Sequence, residues 1–310
     1  MSAQRNDFDV SDQVKTTDCG SVNREIDRIF VELYPNASTR LLDRAFSDVD
    51  RLYRGDFPGY RGCDTPYHDI QHVLDVTLAM ARLIDGYERS RRGAASLGQD
   101  LFELGVITAL LHDCGYICHE TEERDRHGAE FTLIHVSRGA KFLSEYLSTA
   151  GLGHVAHIAA ELIHFTGYER RVQAIQVPGL AYRLLGNMLG SADIIAQMSD
   201  RCYLEKCRDR LYPEFVAAGI TEKRNADGTR EVVFASGEDL LRKTPDFYQG
   251  ATKRLREDLA GGFAYAAHHF GGPNLYIEGV EKNIRFVEKV KQNGPAVLRR
   301  QPPDTRPREE

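Results

Sequence analysis

Apolar residues recur along this chain at three- and four-residue intervals almost throughout, and strictly alternating runs are nearly absent. That spacing lines one face of a helix, so the fold is expected to be all-α. After Thr65-Pro66, read as a cap and first turn, Ile70, Val73, Leu74, Thr77, Ala81 and Ile84 mark one face until Gly86. Further helices are expected over 22–33, 38–53, 100–113, 129–148, 153–165, 179–217, 238–268 and 275–291, with Gly or Pro in most of the gaps. The exception is the turn-like Asn225-Ala226-Asp227-Gly228 followed by Glu231-Val232-Val233-Phe234, which predicts a small β-hairpin inserted between helices. Residues 1–20 are polar and residues 292–310 mix prolines with charge, so both segments are expected to be disordered around a single domain over 21–291.

Composition adds constraints and removes partners. Hydrophobic residues make up 42% of the 310 positions and charged residues 28%, the balance of a folded globular protein. A net charge of -6 argues against a protein that coats nucleic acid, while a local basic funnel for a phosphate remains compatible with it. The six cysteines, at 19, 63, 114, 118, 202 and 207, lack paired C-x-x-C spacing and read as reduced thiols of a cytoplasmic protein. No leader-like apolar segment and no run of about 18 apolar residues is present, so no membrane partner is expected. An oligomer is compatible with everything above.

The chemistry is carried by polar residues planted in apolar helical contexts. His68 and His72 are four apart and are expected on one face of the same helix. The run Val106 to Leu111 ends in adjacent His112 and Asp113, which the last turn of a buried helix is expected to deliver. A buried charged Asp is costly unless a cation pairs with it. His135, His164 and Asp193 extend the series, and together these groups suit two divalent ions, with Asp113 able to bridge both.

The pattern H…HD…D resembles the HD-domain superfamily of metal-dependent phosphohydrolases, over about 65–203. Tyr67-His68-Asp69-x-x-His72-x-x-Asp75-Val76 is similar to the Y-H-N-x-x-H-A-x-D-V motif of class I cyclic-nucleotide phosphodiesterases. The downstream half is similar to dinuclear HD-GYP-type domains, with His135 and His164 near the places of the later histidines. The resemblance implies an HD-domain helical bundle. It also implies a first metal held by His72, His112, Asp113 and Asp193, and a second by His135, His164 and bridging Asp113. The ions would be two of Mn, Fe, Zn, Co, Ni or Mg. By the same resemblance His68 is the general acid, Asp69 holds or tunes it, and Gln249 and Phe247 invite comparison with a purine clamp, while Arg201 is placed to reach a phosphate. The chain departs from both subfamilies: Asp69 stands in place of Asn, Tyr116 in place of the HD-GYP lysine, and Glu169 follows Gly167-Tyr168 where the GYP signature has proline.

The expected function is that of an enzyme, a metal-dependent phosphohydrolase. It is read as a phosphodiesterase in which hydroxide on the metal attacks a cyclic nucleotide or other small nucleotide phosphoester. The alternatives are an HD-type diiron oxygenase and a non-catalytic nucleotide-binding sensor.

Overall fold

A computed structural model describes residues 5–225 and 228–305. It is mainly helical with one two-stranded antiparallel sheet. In chain order the helices are α1 (Cys19–Leu33), α2 (Arg40–Arg54), α3 (Ile70–Ser90), α4 (Gly98–Leu110), α5 (His135–Thr149) and α6 (Ala156–Leu162). They continue with α7 (Gly179–Ser199), α8 (Tyr203–Lys206), α9 (Tyr212–Ala217), α10 (Gly237–Lys253), α11 (Ala266–Phe270) and α12 (Leu275–Asn293). Strands β1 (Glu222–Arg224) and β2 (Arg230–Val232) pair in the register Glu222↔Val232. This is the hairpin expected from the turn cluster; Ala226 and Asp227 of that turn lie outside the described residues.

Helix α3 is the axis of the fold. It packs against α1, α4, α7 and α11, and nearly every side chain from Gln71 to Gly86 is buried. A helix enclosed on all sides needs apolar residues all round, which explains why its stripe is wide. Gly86 permits the contact with α11, since a Cβ there would lie 1.9 Å from the Tyr265 carbonyl oxygen.

Helix ends differ from the sequence expectation at the positions that matter for chemistry. Helix α3 begins at Ile70 because Asp69, not Thr65, is its cap: the Asp69 carboxylate accepts from the His72 amide at 3.0 Å. Thr65 instead donates its hydroxyl to the His68 carbonyl at 3.0 Å, so His68 lies in the turn before the helix. Helix α4 stops at Leu110, which puts His112 and Asp113 in the turn beyond it. The long helix expected over 179–217 breaks at Asp200, whose carboxylate accepts from the Cys202 amide and offers the backbone a turn instead. The helix expected over 238–268 breaks at Ala260 and Gly261, both with positive φ.

Both chain ends were expected to be disordered, yet the described parts of each are packed. Phe8 bridges to Lys15, and buried Asp9 pairs with buried Arg82 of α3 at 2.7 Å while accepting from the Ser11, Gln13 and Val14 amides. A guanidinium inside a core requires such a counter-charge, and hydropathy along residues 1–20 does not register a single buried Asp. At the other end the Asn6 amide donates to the Gln301 carbonyl, the Arg300 amide donates to Glu205, and the Thr305 hydroxyl donates to Asp69 at 2.5 Å. Among the described residues no helix is long and apolar enough to cross a membrane.

Candidate metal centre

Three elements bring the site together. Helix α3 supplies His72 from its first turn, the turn after α4 supplies His112 and Asp113, and α7 supplies Asp193. Asp113 Oδ2 lies 3.2 Å from His72 Nε2 and 3.2 Å from His112 Nε2; Asp193 Oδ1 lies 3.6 Å and 3.9 Å from the same two nitrogens. His72, His112 and Asp113 are all buried and offer ligand atoms within 4.8 Å of one another.

Two atoms of this group have no partner of hydrogen-bond geometry among the described residues: His112 Nε2 and Asp113 Oδ2. Leaving a buried donor or acceptor unmatched costs about 1–3 kcal/mol, more when it is charged. His112 Nδ1 is already engaged with the Ala109 carbonyl at 2.8 Å, an arrangement that fixes the tautomer and turns the Nε2 lone pair into the site. The residues therefore fit a divalent ion. Without one, protons do part of its work. Burial alone would keep His112 neutral, but the facing Asp113 carboxylate raises its pKa to about 9. Burial likewise disfavours charge on Asp113, and the imidazoles of His112 and His72 overcome it and hold that carboxyl well below its usual range.

The second oxygen of Asp113 faces elsewhere. Oδ1 is 3.7 Å from His135 Nε2, and His135 Nδ1 is held by the Thr132 carbonyl at 2.7 Å. Asp113 thus presents one oxygen to His72 and His112 and the other to His135. This approach depends on glycine: a Cβ on Gly115 would stand 1.9 Å from the His135 carbonyl oxygen, and one on Gly139 would stand 3.2 Å from that of His112. His164 is buried nearby in sequence order, its Nδ1 bonded to Glu169 at 2.6 Å, but it makes no ion pair with Asp113 or Asp193 in the structure.

His68 occupies the more open side of the centre. Its Nδ1 meets Glu214 Oε2 at 2.5 Å, and Glu214 Oε1 accepts from the Tyr67 amide at 2.5 Å and the His68 amide at 3.3 Å. Burial opposes charge on His68, yet Glu214, Asp113 and Asp193 together raise its pKa. The ring stacks on Tyr116 at 4.3 Å, and Tyr116 stacks on His135 at 4.4 Å, so one tyrosine ring contacts both imidazoles, which lie 6.4 Å apart. A further chain of contacts supports Asp193: the Tyr67 hydroxyl donates to Gln197, and Gln197 donates to Asp193 at 3.2 Å.

Other expected site residues lie elsewhere. Asp69 is engaged as the α3 cap and as partner of Arg210 at 3.2 Å and Thr305 at 2.5 Å, with no bond to the His68 ring. Arg201 is tied to the amino-terminal segment, donating to the Arg5, Phe8 and Asp9 carbonyls and pairing with Asp12. Phe247 and Gln249 are exposed on α10, which the helical stripe alone assigned to no particular face. Conversely, Glu214 and Glu169 are the carboxylates that hold His68 and His164, and neither was singled out for that role in the sequence. Glu169 is visible five residues after His164; Glu214 has no local signal, lying 146 residues from its partner.

The fold and site together define a mainly helical protein with a buried His-His-Asp group suited to a metal ion. Residues 58–261 match the Npun_R2479-like family, and the chain belongs to it. No curated protein matches the sequence.

Proposed function

We propose that this protein is a metal-dependent phosphohydrolase of HD-domain type, a phosphodiesterase acting on a small nucleotide phosphoester. The observation that carries the reading is the pair of unmatched buried atoms, His112 Nε2 and Asp113 Oδ2, facing His72 and Asp193. A bound divalent ion would supply Lewis acidity toward a phosphoryl oxygen and an activated water. His72, His112, Asp113 and Asp193 would hold it, and His135 on the far oxygen of Asp113 offers a ligand for a second ion.

The chain's own residues account for the proton. Glu214 occupies Nδ1 of His68, so Nε2 is the nitrogen left to carry a transferable proton, and against the effect of burial the Glu214, Asp113 and Asp193 carboxylates raise the ring's pKa. His68 donates that proton to the departing alkoxide. Tyr116, stacked against it, keeps the ring from turning away.

The test is hydrolysis of bis(p-nitrophenyl) phosphate by metal-stripped protein reloaded separately with Mn, Fe, Zn, Co, Ni or Mg, with Asp113→Ala as control. Turnover that requires metal and disappears in the variant is expected. Inactivity of every metal form would overturn the reading, and oxygen uptake by the iron form would replace it with an oxygenase.

A further inference from the structure

Around Tyr168 lies a depression of about 400 Å³ whose lining includes Tyr168, Arg170, Arg171, Gln173, Arg254 and Asp258. Three arginines and one carboxylate line it, and Gln173 donates to that carboxylate at 2.8 Å. Arg254 is 8% exposed. Its Nη2 donates to the Phe165 and Gly167 carbonyls at 2.8 and 2.6 Å, and its Nε is buried without a hydrogen-bond partner among the described residues. The group also lies over the Tyr168 ring, 4.1 Å from its centroid. Arg170 reaches Glu161 only at 3.3 Å between exposed groups, a weak tether, and Arg171 has no ion-pair partner among the described residues.

The buried arginine of this basin packs close to the helix that carries Asp193: Arg254 donates to the Phe165 carbonyl, and a Cβ on Gly190, three residues before Asp193 in α7, would lie 2.4 Å from that same oxygen. The first residue of the basin, Tyr168, follows His164 by four positions, and Glu169, between Tyr168 and Arg170, is the group bonded to His164. Planar guanidinium groups match phosphate and carboxylate oxygens in paired hydrogen bonds, and here one buried arginine is flanked by two exposed ones.

We propose that this basin is an anion subsite for a second phosphate group of the substrate. The substrate class is then a nucleotide with at least two phosphates, one at the metal centre and one against Arg170, Arg171 and Arg254. The assignment of the occupant rests on the phosphohydrolase reading; the existence of the subsite does not.

Binding of inorganic pyrophosphate, followed calorimetrically, separates the two. Arg170→Ser/Arg171→Ser is the informative variant, because Arg254 also anchors the Phe165–Gly167 backbone and its removal would confound folding with binding. Binding that survives in Asp113→Ala and weakens at least tenfold in the double arginine variant is expected. Unchanged binding in the double variant overturns the proposal, as does loss of all binding in Asp113→Ala. With a phosphoester substrate, the double variant should raise KM about tenfold for a nucleotide carrying an additional phosphate and leave the singly phosphorylated analogue unaffected; equal effects on both would remove the second-phosphate assignment. If the metal-loaded protein cleaves no phosphoester while pyrophosphate still binds the basin, the hydrolase reading falls and the anion subsite stands.

Discussion

Glu214 Oε2 lies 2.5 Å from His68 Nδ1, and the same carboxylate gathers the amides of Tyr67 and His68. One buried side chain therefore fixes both the backbone and the ring of the proposed proton donor. Glu214→Gln keeps the shape and removes the charge. Because His68 acts while protonated and its pKa is raised, wild-type activity should persist above the ordinary histidine range and fall as pH rises through the folded value. In Glu214→Gln the fall should begin at lower pH, with kcat reduced roughly 10- to 100-fold by loss of the ring's carboxylate partner. A kcat–pH profile checks this; an unshifted alkaline limb would mean that the carboxylate does not act through its charge.

Metal and stability are linked through Asp113. An ion bound only by the folded state stabilises it by about 2.7 kcal/mol at a hundredfold excess over Kd. Chelation should therefore lower Tm by roughly 4 °C at this chain length. Asp113→Ala should bind less metal by elemental analysis and show no chelator response in thermal melts.

Gly115 has no room for a methyl group. A Cβ there would come within 1.9 Å of the His135 carbonyl oxygen, so Gly115→Ala must push α5 away from the turn carrying Asp113. Overpacking of this kind costs about 1–3 kcal/mol. Urea denaturation should register that loss, and hydrolytic activity should fall with it. Gly250→Ala is the control: it sits within α10 with nothing inside 4 Å of the added carbon, and should gain roughly 0.5–1 kcal/mol.

Asp27 gives a pH signature remote from the centre. Burial and the neighbouring Asp43 carboxylate raise its pKa to about 7. The folded state then binds more protons than the unfolded chain between the ordinary carboxyl range and pH 7, so this group's contribution to stability declines as pH rises through that window. Asp27→Asn removes the burden. Its Tm should exceed that of the wild type at pH 8, with the difference shrinking at pH 5.

The helical class and the cluster around Asp113 were legible because apolar periodicity and a polar residue inside it are both local signals. His72, His112, Asp113, His135, His164 and Asp193 could be singled out in this way; the structure sets His72, His112 and His135 around Asp113 and Asp193 beside the first two, while His164 pairs with Glu169 instead. His68 was legible as a residue but not as to its element, since Thr65 and Asp69 are both good caps and tertiary partners of Asp69 decide between them. Arg201, Phe247 and Gln249 were placed by distance from a motif, and distance along a chain does not orient a side chain once Asp200 breaks the helix. Glu214 illustrates the opposite limit: a carboxylate in α9 looks like a solvated residue until the turn at Tyr67-His68 closes over it.

The bond between Thr305 and Asp69 has a consequence in time. The two residues are 236 positions apart, and Asp69 caps the helix whose first turn carries His72. During synthesis α3 emerges long before Thr305, so the capping carboxylate spends most of translation lacking one of its final partners. The nascent chain can therefore close the cap bond from the His72 amide to Asp69 early, whereas the bond from Thr305 to the other carboxylate oxygen forms only once residue 305 has left the ribosome.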